Sequence, residues 1–182
     1  MTVDPSGPQR AMLDGIRSAM PAGAPELGED YMRCHIAFES ASDQQGRILD
    51  WLIEDALSLR EDDLSIVSVG AGSGILDVPY LAAVSQEKTV RYTVVEPVQA
   101  QCEEFRERAA ALNAELPPLS FEQMPLGALE LDARFDIVLA IHSVYYMDDL
   151  ALSVEKLLAL RPAGGRLILG VAPMQAMSRL AN

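Results

Sequence analysis

Three closely spaced glycines form the clearest candidate ligand site in this sequence. Gly70, Gly72 and Gly74 lie between a short β-branched run at 64–69 and an apolar helical stretch that begins at Ile75. Glycines at a strand-to-helix junction permit a tight turn and let a ligand approach the backbone closely. A plain connector is the simpler explanation of such a loop, but the strand–turn–helix context favours a ligand.

Glu96 provides a carboxylate at the end of the next predicted strand, about 20 residues beyond the loop. An acid there can accept hydrogen bonds from ribose hydroxyls, although a solvated acid before Pro97 is the alternative. The loop reads GxGxG, with Ile75 where a dinucleotide loop carries its third glycine. This spacing favours S-adenosylmethionine (SAM), which carries no phosphate, over NAD, which stays open as an alternative.

His142 is the best candidate for a general base. It follows the apolar run at 135–141 and is expected at the pocket mouth, and histidine has an ordinary pKa of about 6.5, which suits proton transfer near neutrality. A histidine that is hydrogen-bonded in the pocket wall explains the position equally well. Tyr145 and Tyr146 could line a substrate pocket, because aromatic faces attract cations.

Alternating strands and helices must position these residues. β-branched or apolar runs predict five strands, at 64–69, 90–95, 119–123, 135–141 and 166–171. Helical periodicity and start or stop signals predict helices at 48–57, 75–84, 99–112 and 150–160, with Ser40 or Ser42 capping the first and Asp148-Asp149 the last. The alternation predicts an α/β, Rossmann-like, doubly wound and mostly parallel sheet with helices on both faces.

The composition narrows the classes of partner and location. A net charge of −13 disfavours DNA or RNA as a partner, because nucleic-acid binding depends on Lys and Arg contacts to phosphates. No apolar run is long enough for a membrane helix and no secretory signal is evident. The two cysteines and two histidines are isolated, which indicates neither a disulfide nor a metal site and fits a cytoplasmic protein.

Four segments together resemble the class I SAM-dependent methyltransferase family: SVGAGSG at 68–74, VVEP at 94–97, FDIVLAIHSVYYMDD at 135–149 and LLALRPAGGRLIL at 157–169. Within that family the chain is similar to the histamine N-methyltransferase-like branch. The shared features are Ser68 where most relatives carry an acid, Glu96-Pro97 followed by Gln101, the 141–146 stretch, and the upstream segment from Tyr31 to Gln45.

The resemblance implies a role for each matching residue. Gly70 and the loop with Gly72 and Gly74 would hold the aminoacyl end of SAM, Glu96 the ribose, Gln101 the adenosine side, and Ile141 the methyl-donor region. Gln123, at the end of the third predicted strand, joins the expected cofactor contacts. The expected substrate contacts are Tyr31, Phe38, Gln44, Tyr145 and Tyr146. Gln44 falls where the histamine enzymes carry a glutamate, and His142 where they carry a glutamine.

We therefore expect a methyltransferase that acts on a small molecule, at an amine nitrogen, with S-adenosylhomocysteine (SAH) as product and no metal. Residues 1–28 are expected to form an N-terminal arm and 29–182 a single SAM-binding domain that is short at its C-terminus. The family continues beyond a fifth strand, so three explanations stay open: the chain is truncated, a second copy or a partner chain covers the edge of that strand, or catalysis has been lost. A SAM- or SAH-binding remnant that lacks catalysis, or a partner subunit, is the alternative function.

Overall fold

The computed structural model describes residues 43–112, 115–147 and 149–171, together with Arg10 and Asp14, and of Tyr145 only the backbone. The strands are β1 (Asp63–Val69), β2 (Thr89–Val95), β3 (Leu119–Glu122), β4 (Ile137–Ile141) and β5 (Arg166–Gly170). The helices are α1 (Gln44–Leu57), α2 (Asp77–Val84), α3 (Gln99–Ala111) and α4 (Leu150–Ala159), with 3-10 turns at Leu126–Ala128 and Val144–Tyr146.

All five strands are parallel and their order is β3-β2-β1-β4-β5. The chain runs outward from β1 through β2 to β3, then returns to the other side of β1 for β4 and β5. The connections after β1 and β4 therefore diverge at the carboxyl edge of the sheet, which is where open α/β folds bind ligands. The glycine loop follows β1 and lies at this switch point.

Helices cover both faces of the sheet, as predicted. Alternate residues of a strand point to opposite faces, so Leu64 and Ile66 pack with α1, α2 and α3 while Val67 and Val69 pack with α4. All four side chains are almost completely buried. Burying an aliphatic side chain of this size contributes about 1.5–3 kcal/mol to the free energy of folding, and the two clusters explain why the strands are apolar on both faces.

Helix α1 lies over the sheet through the apolar stripe that its sequence predicts. Leu52 and Ala56 are buried, whereas Trp51 is 52% exposed at the edge of the stripe. The end of α1 is tied to the start of β5, because the Arg166 guanidinium forms an ion pair with Asp55 and also donates to the Asp55 carbonyl at 3.0 Å. These two contacts fix the position of α1 relative to β5, an edge strand of the sheet.

Most predicted boundaries shift by no more than two residues. Helix α1 is the exception, since it begins at Gln44 rather than at 48, and its N-cap is Asp43 rather than the predicted Ser40 or Ser42. Helix α2 begins at Asp77 rather than Ile75, because residue 79 is a proline and has no N–H to donate to the Ile75 carbonyl. Strand β4 begins at Ile137 rather than Phe135. The cap of α4 is confirmed, since the Asp149 carboxylate accepts a hydrogen bond from the Leu152 N–H at 3.0 Å.

Other expectations stay predictions. The arm at 1–28 lies outside the described residues except for Arg10 and Asp14. In the part of the chain that the structure describes, no helix is both long and apolar enough to cross a membrane. Within that same part, the outer edge of β5 pairs with no further strand.

Candidate functional site

The glycine loop is held in a conformation that favours glycine. Gly70, Gly72 and Gly74 have φ angles of +69°, +57° and +73°. A Cβ at position 70 would lie 2.3 Å from the Ser143 Cβ, and one at position 74 would lie 2.6 Å from the Phe105 ring. The loop is therefore packed on two sides. A Cβ at position 72 would meet only the Gln101 Oε1 at 3.5 Å, so the middle glycine faces the open side.

Glu96 is joined directly to this loop. Its carboxylate accepts one hydrogen bond from the Gly72 N–H and another from the Val98 N–H, each at 3.0 Å. The residue is only 6% exposed, so the two bonds hold the side chain in one orientation. The Gly70 N–H donates to the Val95 carbonyl at 2.7 Å, which fastens the loop to the end of β2 as well.

The other predicted cofactor contacts lie on neighbouring elements. Gln101 is half-buried in the first turn of α3 and its side chain approaches Gly72, so it joins Glu96 and the loop in one place. Ile141 ends β4 and is half-buried. Gln123 follows the end of β3 and is exposed, and it takes no part in the described hydrogen bonds of Glu96 and the loop.

The chain after β4 crosses the carboxyl end of β1. His142 has a φ of +54°, the one positive value at a non-glycine residue in the described part of the chain, and its N–H donates to the Gly170 carbonyl at 2.8 Å. The next residue, Ser143, is buried and donates its hydroxyl hydrogen to the Val69 carbonyl at 2.7 Å. A left-handed residue beside a ligand loop is an unfavourable conformation that the surrounding contacts must maintain.

The predicted substrate residues are only partly placed. Tyr31 and Phe38 lie outside the described residues. Gln44 begins α1 and lines a shallow depression with Asp43, Arg47, Ile48 and Trp51, apart from the hydrogen bonds around Glu96. Tyr145 and Tyr146 belong to the 3-10 turn after β4, where Tyr146 is 59% exposed. Their role as substrate contacts stays a prediction.

A buried polar cluster lies beneath the loop and was not predicted from the sequence. The Tyr92 hydroxyl donates to the Asp77 Oδ1 at 2.6 Å, and the Ser68 hydroxyl hydrogen-bonds the same carboxylate. All three side chains are buried, and this burial raises the pKa of Asp77 even though both hydrogen bonds act to lower it. The signal that was available is a polar residue inside an apolar pattern, Asp77 in the helix and Ser68 in the strand.

The loop and Glu96 offer groups that a nucleoside cofactor could use. The loop has glycine at positions 70 and 74, where a Cβ would collide with a neighbouring side chain. The Glu96 carboxylate beside the loop is able to accept hydrogen bonds from ribose hydroxyls. Among the described residues, no group of three or more His, Cys, Asp or Glu side chains could hold a metal ion. The expectation that the reaction needs no metal stays a prediction.

Comparisons with known proteins agree with this geometry. A family model for a methyltransferase domain matches residues 67–169. No curated protein sequence matches the chain. Magnesium protoporphyrin IX methyltransferase from Synechocystis PCC 6803, solved with bound SAM, is 17% identical, with a TM-score of 0.56 and 92% of this chain and 77% of that chain covered.

Two further structures are similar in fold. Coclaurine N-methyltransferase bound to N-methylheliamine and SAH is 23% identical, with a TM-score of 0.57 over 69% of this chain and 35% of that chain. A SAM-dependent methyltransferase from Thiobacillus denitrificans, in complex with SAH, is 20% identical, with a TM-score of 0.54 over 70% and 48%. The chain spans less than half the length of several structures that it resembles.

Proposed function

The chain belongs to the methyltransferase domain family, and on that premise we propose that it transfers the methyl group of SAM to a small molecule, at an amine nitrogen. The family model covers more than half of the chain and includes the glycine loop, Glu96 and the end of β4. The confirmed Rossmann-like fold supports the same reaction, since several similar structures carry SAM or SAH.

The pairing of Glu96 with the glycine loop is the observation that carries this proposal. An ionised carboxylate offers about four acceptor sites on its two oxygens, and the Gly72 and Val98 N–H groups occupy one on each. One site on each oxygen is left for a donor. The two hydroxyls of a ribose are donors of the required kind, and the orientation of the carboxylate is already set before a ligand arrives.

Each residue near the loop then has a defined task. The loop residues Gly70, Gly72 and Gly74 would accommodate the aminoacyl end, Glu96 the ribose and Gln101 the adenosine side. Ile141 and Gln123 are proposed as further contacts at the ends of β4 and β3. The bound cofactor supplies an activated methyl group on a sulfonium, and the residues of this chain hold both reactants in line and keep water away.

His142 is proposed to accept the proton of the amine. It lies at the carboxyl end of β4, next to Ser143, which contacts the loop through Gly70. Its left-handed backbone is held by the bond to the Gly170 carbonyl and by the burial of Ser143. An imidazole can take a proton near neutral pH, and a general base of this kind contributes about 10²–10⁴-fold to a rate when it is needed.

An amine acceptor suits the charge of the protein. The net charge of −13 favours cationic small molecules over nucleic acids, and an ammonium group is attracted by aromatic faces such as that of Tyr146. Two similar structures are those of N-methyltransferases, one named for coclaurine and one for a glycopeptide. The histamine-like branch, the cytoplasmic location, and the contacts from Tyr31, Phe38, Gln44 and Tyr145 belong to this proposal.

The first test is a thermal-shift titration with SAM, SAH and NAD. A ligand at 100 times its dissociation constant stabilises a protein by about 2.7 kcal/mol, which for a chain of this size raises Tm by roughly 5–10 °C. We expect SAM and SAH to raise Tm and NAD to leave it unchanged. Glu96→Ala should abolish the shift, and Glu104→Ala, which removes an exposed acid of α3, should keep it.

A transfer assay then separates the enzyme from a binding remnant. Radiolabelled SAM is incubated with a panel of small amines, and methylated product is expected with at least one of them. Binding of SAH without transfer to any acceptor would favour the non-catalytic alternative. With an active acceptor in hand, His142→Gln is expected to lower kcat and to remove the acidic limb of its pH profile while the dissociation constant of SAH stays the same.

A further inference from the structure

Asp77 is a buried carboxylate that the fold does not need for its apolar packing. It lies in the first turn of α2, three residues beyond Gly74, and is 6% exposed. Every other buried residue of that helix, Val78, Tyr80, Leu81 and Val84, packs into an apolar cluster. A charged group in such surroundings costs free energy unless something compensates it.

Hydrogen bonds compensate Asp77 only in part. The hydroxyls of Tyr92 and Ser68 each hydrogen-bond the carboxylate, which satisfies oxygen lone pairs but brings no opposite charge. Within residues 43–112, 115–147 and 149–171, no Lys, Arg or His side chain forms an ion pair with it. The charged group that acts on it electrostatically is Glu96, which is also negative. Asp77 thus lies three residues beyond Gly74 in the chain and Glu96 is bonded to Gly72, so a carboxylate belongs to the surroundings of each end of the glycine loop.

The helix dipole alone does not explain why a carboxylate is buried at position 77. Acidic side chains in a first helical turn are favoured by the helix dipole, but by only about 0.3–1 kcal/mol when they are exposed. That benefit is also available to a carboxylate in solvent and does not require burial. Burial opposes the charged form of Asp77, as its raised pKa shows. A function that uses the negative charge therefore explains a buried Asp77 better than helix stability does.

We propose that Asp77 is the counter-charge for the positive charge that the cofactor brings to the glycine loop. The inference rests on the proposed function, because the positive groups are those of the cofactor: SAM has an ammonium and a sulfonium, SAH has only the ammonium, and each also has a carboxylate. Glu96 binds the ribose in this scheme, and Asp77 supplies the negative potential beneath the amino-acid part. Ser68 and Tyr92 hold the carboxylate in place and are positioning residues.

Asp77→Asn tests the charge with little change of shape. The amide oxygen can still accept from the Tyr92 hydroxyl and the amide NH₂ can donate to the Ser68 oxygen. Binding is measured by calorimetry with SAM, SAH and 5′-methylthioadenosine, which lacks the amino acid and is uncharged. We expect about tenfold weaker binding of SAM and SAH, which corresponds to about 1.4 kcal/mol, and unchanged binding of methylthioadenosine.

The three ligands distinguish the source of the charge. If Asp77→Asn binds both SAM and SAH more weakly, the positive group that Asp77 faces is the ammonium. If only SAM binds more weakly, that group is the sulfonium. The matched control is Asp136→Asn at the amino edge of the sheet. There the carboxylate accepts from the Ser65 N–H at 2.8 Å, far from the glycine loop along β1, and all three ligands should bind as they do to the wild type.

A second pair of variants keeps the test decisive if Asp77→Asn folds poorly. Asp77→Glu keeps the carboxylate and Asp77→Gln replaces it by an amide of the same length, so the two variants share any cost of the longer side chain. Asp77→Glu should bind SAM and SAH more tightly than Asp77→Gln does, and both should bind methylthioadenosine equally well. The inference would be overturned if Asp77→Asn weakened the binding of all three ligands equally, or if it changed none of them. The proposal that the wild type binds SAM would still stand. A wild type that binds none of them would overturn the proposed function itself.

Discussion

Replacing Gly70 by alanine tests how closely Ser143 packs against the glycine loop. Two costs add at this position. The φ of +69° places a Cβ in the left-handed region, which costs about 1–2 kcal/mol. The added Cβ would also lie 2.3 Å from the Ser143 Cβ, so the backbone must shift, and overpacking of this kind costs about 1–3 kcal/mol. We expect Gly70→Ala to lower the free energy of unfolding by roughly 2–5 kcal/mol.

Two other glycines separate these costs in the same assay, urea unfolding followed by circular dichroism. Gly164 has a φ of +88° but no atom within 4 Å of an added Cβ, so Gly164→Ala should lose only the backbone cost of about 1–2 kcal/mol. Gly46 lies in the first turn of α1 with open space around it, and Gly46→Ala should stabilise the protein by about 0.5–1 kcal/mol.

A double-mutant cycle isolates the collision itself. In a Ser143→Gly background the clashing Cβ is gone, so Gly70→Ala should then cost no more than Gly164→Ala does in the wild type. If Gly70→Ala costs the same with and without Ser143, the side chain of Ser143 does not lie against the loop. The inferred packing of the glycine loop against the chain after β4 would then be wrong.

Three further expectations concern single side chains. Burial raises the pKa of Asp77 above 3.8, so its contribution to stability is present below about pH 4 and is lost as pH rises through the raised value. The stability of Asp77→Asn relative to wild type should therefore increase from pH 4 to pH 7 in urea titrations, and a flat difference would contradict the raised pKa. Tyr92→Phe removes the hydroxyl that donates to Asp77 at 2.6 Å and should cost about 1–3 kcal/mol at pH 7, whereas no loss would mean that the bond is absent. Asp149→Ala removes the cap of α4 and should cost about 1 kcal/mol by the same method, with Asp149→Ser retaining most of the stability.

The elements of the fold could be predicted because each depends on local sequence. Strand β1 is a β-branched run that stops at glycine, and helix α1 carries an apolar stripe that its neighbours bury. The cap of α4 at Asp149 also follows from adjacent residues alone. Sequence patterns place the starts of α2 and β4 two residues too early, because Pro79 cannot donate to the Ile75 carbonyl and β4 meets its partner β1 only from Ile137.

Some features of the site could also be predicted from local sequence, and others depend on tertiary contacts. Local pattern identified the glycine loop and Glu96, since a turn at a strand end and an acid at the next strand end both have short-range signatures. The bond from the Gly72 N–H to Glu96 could not be foreseen, because Gly72 lies in the connection after a different strand, whereas Val98 is only two residues from Glu96 in the chain. The neighbourhood of Gln101 and Gly72 likewise depends on how α3 packs beside the loop.

By itself the sequence determined the element types, the class of fold and the candidate cofactor loop, because these arise from propensities and periodicities over a few residues. Only the tertiary structure decided that Ser143 packs against Gly70 of the glycine loop. It also decided that Asp77, Ser68 and Tyr92 lie together in one buried cluster. Those contacts join residues from β1, α2, β2 and the end of β4. Such a meeting depends on the order of the strands in the sheet, and hydrophobic packing along the whole chain selects that order.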